Sequence, residues 1–292
     1  MALNCSRFRS PSRRASKDED LNYDNRDPVS LSETRDVPLL LAIRNATFIT
    51  HDQLFQSMKQ AGLEWNRNSF NWRVKRYLSG MLVRQFPEVS PYKGAVYAIT
   101  RFGLATLESY SEVLTSIDSE SASLADPIQV PHFLELNEIR QRFFQSGLLQ
   151  MWTFERELAS LNIAGERPTA KDYDALLKLR VNGRDCRLGL EYERTTKSLT
   201  RYEDIYRQLA NEKQVDVVLY LMANLHMIFP VSDVFREPDI PICFGAARSF
   251  RESGMEAKVV MKYGSMTEML RLSVALETLI LPGIIAPEDE ER

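Results

Sequence analysis

Apolar spacing along the chain divides it into an irregular start and two regular stretches. Residues 1–36, MALNCSRFRSPSRRASKDEDLNYDNRDPVSLSETRD, are rich in Ser, Arg and Asp and nearly lack apolar periodicity, which predicts a disordered arm. From Val37 the pattern turns regular. VPLLLAIRNATFIT predicts a short helix, and THDQLFQSMKQAG a second, with Thr50 placed to cap its free amides and Gly62 to end it. In RNSFNWRVKRYLSGMLVRQF, residues Phe70, Val74, Tyr77 and Leu78 share one stripe of a third helix that stops at Ser79-Gly80. MLVRQF and AVYAIT, joined by a polar turn with Pro91 and Gly94, predict a hairpin, and TRFGLATLES a closing helix from Thr100. Helix, helix, basic helix, hairpin is the order of a winged helix-turn-helix, expected over residues 37–112.

SEVLTSIDSESASLADPIQVP is Ser-rich and acidic, so residues 113–130 are expected as a linker to a second domain over 131–281. That domain opens on HFLELNEIRQRFFQSG, an amphipathic helix with Leu134, Ile139 and Phe143 inward and Gly147 as its terminator. YDALLKLRV and CRLGLEYERT alternate on either side of Asn182-Gly183, a pair suited to a type I′ hairpin turn. KSLTRYEDIYRQLANEK predicts a helix with Leu199, Tyr202, Ile205, Tyr206 and Leu209 on one face. VDVVLYLMA is continuously apolar, as a central strand covered on both faces must be. PICFGAA and AKVVMKY read as further strands, SMTEMLRLSVALETL as a closing helix, and 282–292 as an acidic tail. The fold class expected is mixed α/β (α+β).

Composition narrows the class. At 44% hydrophobic and 26% charged, 292 residues suffice for two globular domains. The longest apolar candidate, LETLILPGIIA, is too short to span a membrane and is broken by Pro282 and Gly283, and the N-terminus lacks an apolar signal core; a cytoplasmic protein without membrane contact is expected. Cys5, Cys186 and Cys243 form no CxxC pair, which argues against a disulfide framework and against structural zinc. The net charge of −3 conceals local patches. Arg7, Arg9, Arg13 and Arg14 fit a solvated tail or a phosphate contact. Between Asn66 and Phe86 there is no acid, while Arg67, Arg73, Lys75, Arg76 and Arg84 are basic, which suits a recognition helix between the phosphate walls of double-stranded DNA. Trp72, between Asn71 and Arg73, fits a base-stacking contact or the core, and its helical spacing favours the core.

GLEYERTTKS holds the second chemical feature. On a strand Glu191 and Glu193 share a face, and Lys197 follows four residues later. Pairing across Asn182-Gly183 sets opposite one another residues whose numbers sum to about 365, so Asp174 falls near Glu191. Three such acids make the oxygen cage that Mg²⁺ or Mn²⁺ prefers, with Lys197 positioned for a phosphate or an attacking water. The same spacing fits a salted surface strand, and spacing alone leaves both readings open. His132 reads as a helix-start residue donating one hydrogen bond, and Tyr192, Tyr202 and Tyr206 as packing residues.

The order of an acid on one strand, a turn, Glu191-x-Glu193, Lys197 and an amphipathic helix resembles the PD-(D/E)xK nuclease core. From residue 37 to about 223, through HFLELNEIR, MWTFEREL, YDALLKL and GLEYERTTKSLTRYEDI, the chain resembles the plasmid replication-relaxation family, which includes the MOBC-class mobilisation relaxases. That resemblance implies a DNA-binding module joined to a nuclease-like domain, and a metal-dependent endonuclease or relaxase nicking at an origin-like site of a mobile element. It also implies mobilisation or replication proteins as partners. Its metal site would be Asp174, Glu191 and Glu193 with Mg²⁺ or Mn²⁺, joined in catalysis by Lys197 and by Glu155 or Glu157 as the helix acid. HFLELNE draws attention to His132, Asn137 and Glu138. The chain departs from the nuclease pattern in carrying Tyr173 where a proline precedes the first acid, and Glu193 where the lysine stands. The alternative is a non-catalytic DNA-binding regulator of transcription or replication on a degenerate nuclease fold.

Overall fold

The structure is a computed structural model that describes residues 30–86, 89, 91–110, 129–158 and 169–280. The arm up to residue 29, the linker up to residue 128 and the tail after residue 280 lie outside the described residues. Helix α1 (Asp36–Ala46) leads through β1 (Ile49–Thr50) into α2 (His51–Gln60); α3 (Arg67–Ser79) precedes the hairpin of β2 (Val83–Phe86) and β3 (Val96–Ile99), and α4 (Arg101–Glu108) follows. Side chains start these helices. The Thr50 hydroxyl accepts the Gln53 amide at 3.1 Å while the Gln53 side chain accepts the Thr50 N–H, and Asn66 and Thr100 cap α3 and α4. The small sheet runs β1-β3-β2, with Ile49 opposite Tyr97 and Val83 opposite Ile99.

Phe70, Val74 and Tyr77 form the buried stripe of α3. They also decide the fate of Trp72, which is 65% exposed rather than in the core: with the stripe at 70, 74 and 77, position 72 turns to the opposite side of the helix.

The remaining elements are α5 (Val130–Gln145), β4 (Leu149–Phe154), β5 (Ala175–Val181), β6 (Arg184–Glu193), α6 (Leu199–Leu209), β7 (Val217–Met222), the short α7 (Ile228–Ser232), β8 (Ile242–Ala246), α8 (Ala247–Ser253), β9 (Lys258–Tyr263), β10 (Met266–Arg271) and α9 (Leu272–Ile280). Seven strands form one mixed sheet, ordered β10-β9-β8-β7-β6-β5-β4. β6, β7 and β8 are parallel, and the strands on either side of them pair antiparallel. Asn182 and Gly183 both adopt positive φ, 50° and 81°, as a type I′ turn requires, and Ala175 pairs with Leu190 in the expected register. Every residue of β7 is buried. Val217, Leu219 and Leu221 pack with α5, α8 and α9, whereas Val218, Tyr220 and Met222 pack with α6 and α7, so both faces of the strand are covered.

The closing helix is shorter than its sequence pattern. Met266–Arg271, expected as its first half, is an edge strand antiparallel to β9, with Met266 opposite Tyr263 across a turn in which Gly264 has φ 52°. Met266, Met269 and Leu270 stand at helical spacing, but that preference is weaker than the ladder of bonds that β9 offers.

Helix α5 serves both parts of the fold. The Gln53 side chain donates to the Leu134 carbonyl and the Asn137 side chain to the Phe48 carbonyl, each at 2.9 Å, and Arg140 donates to Ser57 at 3.0 Å. Val130 and Leu134 share an apolar cluster with Phe48, Val96 and Ala98. From Leu31 onward the described residues accordingly form one compact unit. Among them no helix is long and apolar enough to cross a membrane.

Tyr173, at the place of the expected proline, is fully buried beneath β6, its hydroxyl donating to Glu212 at 3.0 Å. A Cβ on Gly189 would come within 2.6 Å of its ring. Gly189→Ala is therefore expected to destabilise the fold by about 1–3 kcal/mol through overpacking. A urea midpoint equal to that of the wild type would show instead that the ring can move aside.

Candidate functional site

Asp174 stands one residue before β5, across the hairpin from Glu191, and its carbonyl accepts the Glu155 N–H at 3.1 Å where β4 ends. Strand alternation sends Tyr192 into the cluster beneath α5 and turns Glu191 and Glu193 to the other face, towards α6. Both acids are only 5% exposed, so this is not a salted surface strand. Burial of adjacent carboxylates demands compensation. Lys171 forms a close ion pair with Glu191, and Lys197 with Glu193. The Lys171 side chain is itself 8% exposed and its ammonium lies 4.6 Å from the centre of the Tyr173 ring. One oxygen of Asp174 accepts the Tyr192 N–H at 2.6 Å; the other is 3.4 Å from His132 Nε2 on the first turn of α5. The His132 ring in turn stacks on that of Tyr192, with centroids 5.2 Å apart.

Glu155, Lys171, Asp174, Glu191, Lys197 and Arg201 line a polar cleft of about 460 Å³. Of the residues expected from the sequence, Asp174, Glu191 and Lys197 thus meet there, and Glu193 is held next to them by Lys197. Glu157 does not join them. Its carboxylate accepts the Phe154 N–H at 3.0 Å and faces Arg44 and Arg140, because two residues of a helical turn separate side chains by about 200°. Glu155 occupies the cleft instead. Sequence reasoning missed Lys171 and Arg201: Lys171 comes from the segment before β5, where no periodicity predicts direction. The tyrosines pack as expected, Tyr192 bonding Glu135 and Tyr206 the Arg236 carbonyl, with Tyr202 wholly buried.

The electrostatics are those of crowded acids. Burial, opposed by Lys171 and reinforced by Asp174, pushes the Glu191 carboxyl up to about 7. Glu155 reaches solvent at the rim, yet the protein bulk around it and the charge of Asp174 raise it as well. Burial works against the His132 imidazolium, but Asp174, Glu155 and Glu135 outweigh it and hold the ring above the usual histidine range. In kind these donors fit a hard divalent cation: carboxylates of Asp174, Glu191 and Glu155 face one polar cleft, and two of them gain from added positive charge. Among the described residues, no three acidic, histidine or cysteine side chains are already gathered closely enough to grip one.

The basic residues of the N-terminal part separate by accessibility. Lys75 on α3 and Arg84 on β2 are exposed. Arg67 is paired with Asp52 at 3.0 Å and Arg76, half-exposed, with Asp36. Arg73, expected at the DNA, is buried, its guanidinium 2.8 Å from Glu64 and 3.5 Å from Asp36. The stretch from Asn66 to Phe86 lacks acids, but its partners come from α1, from α2 and from the turn before α3. No model of a protein family, no curated protein and no solved structure matches the chain.

Proposed function

We propose that this chain binds double-stranded DNA through a winged helix-turn-helix over α1 to β3, and cleaves one strand in a metal-dependent site of PD-(D/E)xK type. The observation that carries the reading is the meeting of Asp174, just before one hairpin strand, with Glu191 on the next, each within a cleft that also holds two lysines. Asp174, Glu191 and Glu155 would hold Mg²⁺ or Mn²⁺, which supplies Lewis-acid activation of the scissile phosphate. His132 and the Tyr192 amide fix the Asp174 carboxylate in direction. Lys171 neutralises Glu191, and Lys197 and Arg201 give the cleft the positive charge that a phosphodiester requires. Nicking at an origin-like site of a mobile element, beside mobilisation or replication proteins, is the biological setting that the family resemblance supports.

The second reading, a non-catalytic DNA-binding regulator, draws on the two lysine pairs, which satisfy Glu191 and Glu193 with no metal at all. Supercoiled plasmid incubated with Mg²⁺ or Mn²⁺ separates the two. Open-circular product is expected from the wild type and none from Asp174→Asn. Supercoils that stay intact at every protein concentration, in samples that shift on a gel, establish the regulator.

A further inference from the structure

Tryptophan is usually well buried, yet Trp65 and Trp72 are 71% and 65% exposed. Trp65 stands just before the Asn66 cap of α3. Trp72 projects from the solvent face of the same helix with Asn68, Asn71, Lys75 and Ser79, and the Arg76 guanidinium lies 5.5 Å from its ring centre. Residues 30–86 contain eight Lys and Arg against four Asp and Glu. Three of those acids, Asp36, Asp52 and Glu64, already pair with arginines. The indoles therefore stand in a field of amides and cations, and no acid follows them before Phe86.

That setting selects among partners. The core of a protein–protein interface is depleted in lysine and packs apolar groups together, whereas these rings are separated by Asn66, Arg67, Asn68 and Asn71. Flat rings interleaved with cations are the composition of a stacking platform for nucleic acid. In an intact duplex the base faces are covered by their neighbours, which leaves an indole only base edges and backbone; an unpaired base offers a free face. We propose that the exposed face of α3, with Trp65, binds DNA containing unpaired bases: Trp72 stacks on one base while Lys75 and Arg76 meet the flanking phosphates, and Trp65 stacks on a second. The proposal rests on the DNA-binding reading above and narrows its substrate to partly single-stranded DNA.

Fluorescence anisotropy in chelator, at low salt, with a labelled duplex, the same duplex carrying a central mismatched bubble, and one of its single strands tests it. The bubble is expected to bind at least about tenfold more tightly than the duplex, as one or more base stackings would give. It should quench tryptophan emission. Trp72→Ala, a surface change expected to leave the melting midpoint in place, should erase the preference and much of the quench, whereas Trp72→Phe should keep most of the preference. Equal affinity for bubble and duplex, unaltered by Trp72→Ala, would overturn the proposal and leave duplex binding standing. Failure to bind any of the three probes would overturn the DNA-binding reading and the proposal together.

Discussion

Arg73→Ala is expected to cost the fold about 3–5 kcal/mol, the range for breaking a buried ion pair by removing one partner. The guanidinium lies between Glu64, at 2.8 Å, and Asp36, at 3.5 Å, and all three residues are buried. Asp36 keeps other support when the arginine goes, since it accepts from the Tyr77 hydroxyl at 2.5 Å and the Ser32 amide at 2.9 Å and pairs with Arg76. Among the described residues, Glu64 then keeps the weaker amides of Trp65 and Asn66, each at 3.3 Å, and the distant Arg35 at 3.8 Å. Its uncompensated charge is the main penalty. Burial alone would raise the Asp36 carboxyl, but the bonds from Tyr77, Ser32 and Arg76 outweigh it and hold it below the usual carboxylate range. A depressed pKa contributes stability that is present at neutral pH and lost as pH falls through the folded value, so this corner should weaken only as pH drops below the usual carboxylate range. Lys75→Ala is the contrasting variant: fully folded, with the slope of DNA affinity against salt reduced by about one unit. Denaturant midpoints measure the difference. An Arg73→Ala protein as stable as the wild type, but weakened in DNA binding, would return Arg73 to the DNA surface.

Glu191→Gln is expected to abolish nicking and to remove a pH dependence from the stability of the fold. With its folded pKa at about 7, above an unfolded value of about 4.3, Glu191 contributes stability that is complete below the unfolded pKa. That contribution declines as pH rises through 7. Glutamine stays neutral throughout. Between about pH 4 and 8 the wild type should therefore lose on the order of 3 kcal/mol relative to the variant, since each tenfold difference in proton affinity between the folded and unfolded chain is worth about 1.4 kcal/mol. The variant also deprives Lys171 of its partner, a cost that hardly changes across this window, so the slope and not the absolute difference is diagnostic. At pH 8, where Glu191 is ionised, Mg²⁺ or Mn²⁺ should restore stability to the wild type by mass action and move the variant less. Melting curves from pH 4 to 8, with and without the ions, give both comparisons. Parallel slopes would mean that Glu191 does not titrate in this range, and a wild-type midpoint that neither ion moves would remove the case for a metal site.

What the sequence by itself determined lies within a few residues of its cause. Thr50, Asn66 and Thr100 start helices because a side-chain oxygen reaches amides two or three positions ahead. Asn182-Gly183 accepts two positive φ angles, and that turn settles the register that sets Asp174 across from Glu191. VDVVLYLMA declares a doubly covered strand because no face of it would tolerate water. Tertiary structure decided the rest, wherever the outcome depends on which segments meet in space. Arg73 and Lys75 look alike in a basic helix, and only Asp36 and Glu64, folded in from elsewhere, make one an internal ion pair and leave the other at the surface. Met266–Arg271 carries helical spacing and becomes a strand because β9 is there to pair with it. Lys171 enters the cleft from a segment with no periodic pattern, and His132 meets Asp174 because α5 packs across both parts of the fold. Backbone conformation answers mainly to neighbouring side chains, whereas a buried charge must find its counter-charge in space, and the folded chain alone brings the two together.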